Sequence, residues 1–218
     1  MQDFQATVQY VAVAILPLIF AITVHEAAHG WVANKLGDGT AKAQGRLTFN
    51  PIPHIDPIGT IVLPILMILT TGFIFGWAKP VPVDLRNLRD PRRDWAIISV
   101  AGPLSNLAMA LLWGLVWKLT HVLPQSMVYV ALPLALMAQI GITFNVILMV
   151  LNLLPLPPLD GSRVLGWLLP PRAAMQLDKI EPYGIFILIG LLYFGLWDAI
   201  IRPATNFFIH LIANLLSL

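Results

Sequence analysis

From Val8 to Leu36 the chain runs for 29 residues without a Lys or Arg until Lys35. As an α-helix such a run is about 44 Å long, more than the roughly 30 Å hydrocarbon core of a bilayer. Trp95–Thr120, Val128–Leu154 and Tyr183–Ile201 are also long enough to cross. Pro203–Leu218 is short for a crossing and suits a return through the membrane or a place in its interface. The first 14 residues hold no Lys or Arg, so the first helix lacks the basic region of a secretory signal and is expected to stay. Charged residues make up 11 % of the chain and apolar ones 58 %. An average soluble domain has about 25 % charged residues, so this chain cannot wet a globular surface and cannot be disordered. There is no Cys, hence no disulfide and no thiolate metal site, and a net charge of +2 gives no case for nucleic acid. These facts predict an all-α polytopic membrane protein, a single domain over residues 1–218. Its core is expected over about 8–161, with C-terminal helices over 183–218 and four to five transmembrane helices in all.

The stretch Pro57–Trp77 is apolar but punctuated by Gly59, Pro64, Gly72 and Gly76. It leads into Lys79-Pro80-Val81-Pro82-Val83-Asp84, where alternating Pro and Val favour an extended or edge-strand backbone over a helix. A re-entrant segment with a short β-strand or extended region is therefore expected over about residues 57–86.

Inside the first apolar run stands His25-Glu26-Ala27-Ala28-His29. Positions i and i+4 share a helix face, so both imidazoles can bind one metal ion, with Glu26 placed to act as general base on a water. Ionisable groups at membrane depth are costly, about 2–3 kcal/mol for a charged one, and mark function. Two His leave a catalytic zinc one protein ligand short. The candidates are His54, Asp56, Asp84, His121, Asp160, Asp198 and His210. Asp160 stands out because it follows Asn152-Leu153-Leu154-Pro155-Leu156-Pro157-Pro158-Leu159, where prolines break an apolar helix. Irregular backbone at that depth is tolerated only against protein or a water-filled cavity.

His25-Glu26-x-x-His29 followed by Asn152…Pro158-Leu159-Asp160-Gly161 resembles the site-2 protease family of intramembrane metalloproteases (peptidase M50 type). Phe75-Gly76-Trp77-Ala78-Lys79-Pro80-Val81-Pro82-Val83 resembles that family's membrane-associated segment. Ala101-Gly102-Pro103-Leu104-Ser105-Asn106 resembles its middle core helix, and the likeness covers about residues 19–161. It implies a minimal form without a PDZ domain or a nucleotide-binding regulatory module. It further implies one Zn²⁺ held by His25, His29 and Asp160, with Glu26 as base, and a transmembrane protein as substrate. Asn152, Asn106 and Pro158 would support substrate or oxyanion, although an interhelical or capping hydrogen bond serves equally well for the two Asn. Val81, Pro82 and Val83 would hold the unwound substrate as an added strand.

For Asp160 to reach the two His, the Val128–Leu154 helix must run in the same direction as the first. That follows if Pro57–Trp77 enters and leaves by one face. Eleven of the 13 basic residues then share one side, which the positive-inside rule makes cytoplasmic. The expectation is a multi-pass plasma-membrane protein, N-terminus outside, metal nearer the cytoplasmic face, with the lipid bilayer as its medium and its oligomeric state, homo-oligomer included, left open. Two rivals remain, a transporter using the same ionisable groups as a pathway and a catalytically silent scaffold of the same fold.

Overall fold

In the computed structural model the described residues are 2–62, 66 and 78–218. Helix α1 spans Gln2–Leu36 and carries the His-Glu-x-x-His segment. It ends where Gly37 takes a left-handed conformation (φ +114°), with Asp38 N–H bonded back to the Ala33 carbonyl. The short α2 follows at Thr40–Ala43. Helix α3 covers Pro91–Thr120 and α4 covers Val128–Asn152. Asp90 caps α3 by accepting from Arg93 N–H, and Pro91 occupies the first turn, where its missing N–H costs nothing. Beyond the Pro-rich break come α5 (Asp160–Leu168), α6 (Pro171–Asp178), α7 (Gly184–Tyr193) and α8 (Arg202–Leu216).

Side-chain contacts set the directions. His29 meets Ile98, His25 meets Gly102 and Asn106, and Asn106 meets Ala21, so α1 and α3 are antiparallel. Asn106 meets Asn145 and Trp113 meets Gly141, so α3 and α4 are antiparallel too. Hence α1 and α4 run the same way, as the placement of Asp160 demands. Leu36 and Pro91 lie at one end of the bundle, closed by Ala33, Leu88 and Ile98 packed with Val83 and Trp95. Ala110, Val146, Met149, Val150, Ile201 and Ile212 form a second core between α3, α4 and the C-terminal helix.

Among the described residues four helices are long and apolar enough to cross a membrane: Val11–Leu36, Pro91–Thr120, Gln125–Asn152 and Trp197–Leu216. The fourth differs from the expected Tyr183–Ile201. Gly195 (φ +99°) breaks that run after α7, and a π turn at Trp197–Ile201 feeds directly into α8. The expected break at Pro203 does not occur because Pro203 sits in the first turn of α8.

Of the expected re-entrant run, residues 57–62 form a π turn, and 63–65 and 67–77 lie outside the described residues. No strand occurs among the described residues. Residues 78–84, where a short β-strand or extended region was expected, form no strand, for a physical reason. Pro80 and Pro82 have no N–H, and side chains rather than a neighbouring strand take several of the remaining backbone groups. Arg46 donates to the Lys79 and Pro80 carbonyls at 2.8 and 2.9 Å, Glu26 accepts from Val81 N–H, and Asp38 accepts from Asp84 N–H.

Candidate metal centre

His25 and His29 stand one turn apart on the face of α1 that packs against α3. That packing requires Gly102, since a Cβ there would lie 2.5 Å from His25 Cε1 and from His29 Nε2. Each imidazole is oriented from behind. His25 Nδ1 lies 2.6 Å from Asn106 Oδ1, and His29 Nδ1 lies 2.7 Å from the Ile98 carbonyl. Both partners are acceptors, so both Nδ1 atoms carry the proton and both Nε2 atoms present lone pairs.

Asp160 comes to these lone pairs from the start of α5. The first turn of α5 lies hard against the end of α4, where a Cβ at Gly161 would stand 2.3 Å from the Leu153 carbonyl oxygen. One turn further on, Arg163 pins the helix by pairing with Glu181, by lying 3.6 Å from Asp178, and by stacking 5.5 Å above the Trp95 ring.

The three donor atoms form a tight triangle. His25 Nε2 is 3.2 Å from Asp160 Oδ2, His29 Nε2 is 3.4 Å from Asp160 Oδ1, and the two Nε2 atoms are 3.1 Å apart. Ligands about 2.0–2.1 Å from a tetrahedral ion stand roughly 3.3–3.4 Å apart, so the spacing suits zinc. Asp160 Oδ2 is buried without a hydrogen-bond donor. Two imidazole lone pairs and a carboxylate so close together repel one another unless a metal ion or a proton lies between them. The donor set of two imidazoles and one carboxylate fits Zn²⁺, and His25, His29 and Asp160 are the residues that would hold it.

Glu26 borders the triangle and accepts from Val81 N–H at 3.0 Å through Oε2. Together they line a cavity of about 290 Å³ whose walls include Val81, Val83, Ser99, Asn152 and Pro158. Of the three residues expected to support substrate, Asn152 and Pro158 line this cavity. Asn106 lies behind His25, its Nδ2 donating to the Ala21 carbonyl and to Asn145 Oδ1. Asn152 donates to the Leu148 carbonyl at 3.0 Å, the helix-end bond that its position allows. Val81 and Val83 face the cavity, with Pro82 between them.

The other candidate ligands stand elsewhere. Asp56 caps the turn at Ile58 and Gly59, Asp84 caps the turn at Arg86, His121 bonds the Trp117 carbonyl, and Asp198 pairs with Arg202 at 2.6 Å. His54 is buried, its Nε2 3.2 Å from the Thr48 carbonyl. Two contributors escaped the sequence reading. Asn145 is a buried polar residue inside a mostly apolar helix, seven residues from Asn152 and so on the same face, a signal that was available. Arg46 is a buried loop arginine that carried no local signal.

Fold and site together fit a membrane protein whose His-Glu-x-x-His segment and a distant Asp form a candidate metal centre. Relatives agree with this class. The chain is 41 % identical over 193 residues to "Putative zinc metalloprotease YwhC" of Bacillus subtilis (strain 168), covering 88 % of this chain and 85 % of that protein. It is 32 % identical over 208 residues to "Putative zinc metalloprotease Rip2" of Mycolicibacterium smegmatis, covering 90 % and 71 %. A Rip2 of Mycobacterium tuberculosis (strain H37Rv) is 29 % identical over 173 residues, covering 79 % and 63 %. No family model matches the chain, and no solved structure does. The chain belongs to the zinc-metalloprotease family of YwhC and Rip2.

Proposed function

We propose that this protein is an intramembrane endopeptidase of the site-2 protease type, binding one Zn²⁺ per chain and hydrolysing peptide bonds in or near transmembrane segments of other membrane proteins. The observation that carries this reading is the convergence of His25 Nε2, His29 Nε2 and Asp160 beside Glu26, in a cavity bordered by helices that can span a bilayer. When bound, the ion supplies Lewis acidity to the attacking water and the scissile carbonyl. Glu26 accepts the proton lost by the water as its oxygen bonds the carbonyl carbon. The same carboxyl then protonates the amide nitrogen as the C–N bond breaks, leaving a carboxylate and an amine. Val81 N–H holds Glu26 toward the cavity. Asn106 and the Ile98 carbonyl keep the Nε2 lone pairs aimed inward. A helix hides its peptide bonds in i→i+4 bonds, so the substrate must unwind, and the irregular run at Val81, Pro82 and Val83 gives the freed backbone a surface.

Orientation belongs to the same proposal. The end of α1, the start of α3 and the segment after α4 share one end of the bundle, and they carry 11 of the 13 basic residues. That end is cytoplasmic by the positive-inside rule, in a plasma membrane, with the N-terminus outside.

The test is zinc content together with cleavage of a reporter transmembrane helix in liposomes, for wild type and Glu26→Gln. Wild type binds one zinc and cuts. Glu26→Gln binds zinc and loses at least about 100-fold in rate. Full cleavage by Glu26→Gln, or a wild type that holds no metal, overturns the reading.

A further inference from the structure

Glu26 borders two chambers that differ in polarity, one mixed and one mainly apolar. On one side is the 290 Å³ cavity of the candidate metal centre, where Ser99, Arg163 and Glu181 stand among Val81, Val83, Trp95 and Ile98. On the other is a chamber of about 470 Å³ lined by Ile22 of α1, Leu148 and Leu151 of α4, Leu159, and Ile185 and Leu188 of α7. His25, Glu26, Pro80, Asn152 and Pro158 border both, so the chambers meet beside the catalytic carboxylate.

In an extended peptide, successive side chains point to opposite faces. A scissile bond laid past Glu26 therefore sends its two flanking side chains in opposite directions. We propose that the two chambers are side-chain subsites on either side of that bond, and that together they select a step in polarity. One flank takes a large aliphatic or aromatic side chain, and the other a small or polar one.

This inference rests on the protease reading and refines its substrate. The starting medium of a membrane substrate is lipid, which is as apolar as leucine itself. Moving a leucine side chain from lipid into the apolar chamber costs little. Moving it beside the Arg163–Glu181 pair strips water from that pair without replacing its hydrogen bonds. A serine gains in the polar chamber what it lacks in lipid, and gains nothing in the apolar one. Both placements are favourable only where the bond lies between unlike neighbours. Such bonds occur where an apolar span gives way to polar sequence, or where a polar residue interrupts it.

The test uses four synthetic transmembrane peptides on one alanine-rich host, with Leu–Leu, Ser–Ser, Leu–Ser or Ser–Leu at a central dipeptide. Cleavage by zinc-loaded wild type in liposomes is read by mass spectrometry. Binding to zinc-loaded Glu26→Gln is read by fluorescence anisotropy in detergent. One of the two mixed orders is cut, and binds, about tenfold better than Leu–Leu. Leu148→Trp, which fills the apolar chamber, lowers cleavage of that preferred peptide more than cleavage of its Ala-for-Leu counterpart, with zinc content and helicity as controls. If Leu–Leu equals or exceeds both mixed orders in cutting and binding, the inference falls and the protease reading stands. If no peptide is cut although zinc is bound, the protease reading falls, and the binding series still decides whether the chambers discriminate.

Discussion

Asn145 decides which nitrogen of His25 faces the metal centre, although it touches neither His25 nor the cavity. Its Nδ2 donates to the Gly141 carbonyl of its own helix at 2.8 Å, which leaves Oδ1 to accept from Asn106. Asn106 Nδ2 is thereby fixed between two acceptors, so its Oδ1 must meet His25, and His25 Nδ1 must carry the proton. Asn145→Leu removes the acceptor that holds this order. The expected result is zinc affinity lower by roughly 10- to 100-fold, measured by competition with a chelator, with helicity unchanged. A second expectation concerns the run beside Glu26. Val81→Pro deletes the N–H that holds the Glu26 carboxylate, the proposed base, and should lower turnover about tenfold or more while zinc content stays at the wild-type level. Unchanged turnover in that variant removes Val81 from the mechanism. At this scale the sequence was legible where chemistry is local. The two His and the Glu sit within five residues, and Asp160 is flagged by the prolines before it. Arg46 was not legible, because its role lies in carbonyls at Pro53, Lys79 and Pro80 that only the fold brings together.

Among the elements, the C-terminal end of α1 is held by a charge. Asp38 accepts from the Thr40 hydroxyl and N–H, from Asn87 Nδ2 at 2.9 Å and from Asp84 N–H at 2.8 Å, tying α1 to the segment that leads into α3. Burial pushes its pKa up, but these hydrogen bonds outweigh burial and hold it below the ordinary carboxylate value. A depressed folded-state pKa contributes stability that is present above the unfolded carboxylate range and lost as pH falls through the folded value. Asp38→Asn should therefore unfold more easily than wild type at pH 7, by roughly 1–3 kcal/mol, with the gap closing under acid conditions. Thermal unfolding in detergent at a series of pH values checks this. A gap constant with pH would show that packing, not charge, ties the segment. Gly195 offers a simpler case. Its φ of +99° is strained for any other residue, so Gly195→Ala should cost about 1–2 kcal/mol by the same measurement. Apolar length located the first three crossing helices. It misplaced the last, because hydropathy does not register a left-handed glycine inside an apolar run or a proline that opens a helix instead of ending one.

For the whole molecule, α1 and α4 run in parallel with α3 between them, so the basic segments gather at one end. The sequence has no Cys, and each introduced Cys is the only thiol present. Val122→Cys, in the exposed turn between α3 and α4, should react with a membrane-impermeant maleimide on intact cells. Arg172→Cys in α6 should react only after permeabilisation. The reverse pattern would invert the orientation. Parity of the crossings was readable before the fold, since the two His lie in the later half of the first run and Asp160 lies just beyond the end of Val128–Leu154, and those ends meet only if the two helices run the same way. The order in which the pieces emerge from the ribosome has its own consequence. His29 is made 131 residues before Asp160, and the Asn that orients His25 arrives between them. A nascent chain with only its first helix inserted thus holds two imidazoles with nothing to align them and no third ligand. On the proposed function, the metal centre would come into being late in biogenesis, after the helices have docked, and an unfinished copy in the insertion machinery would be unable to cut its neighbours.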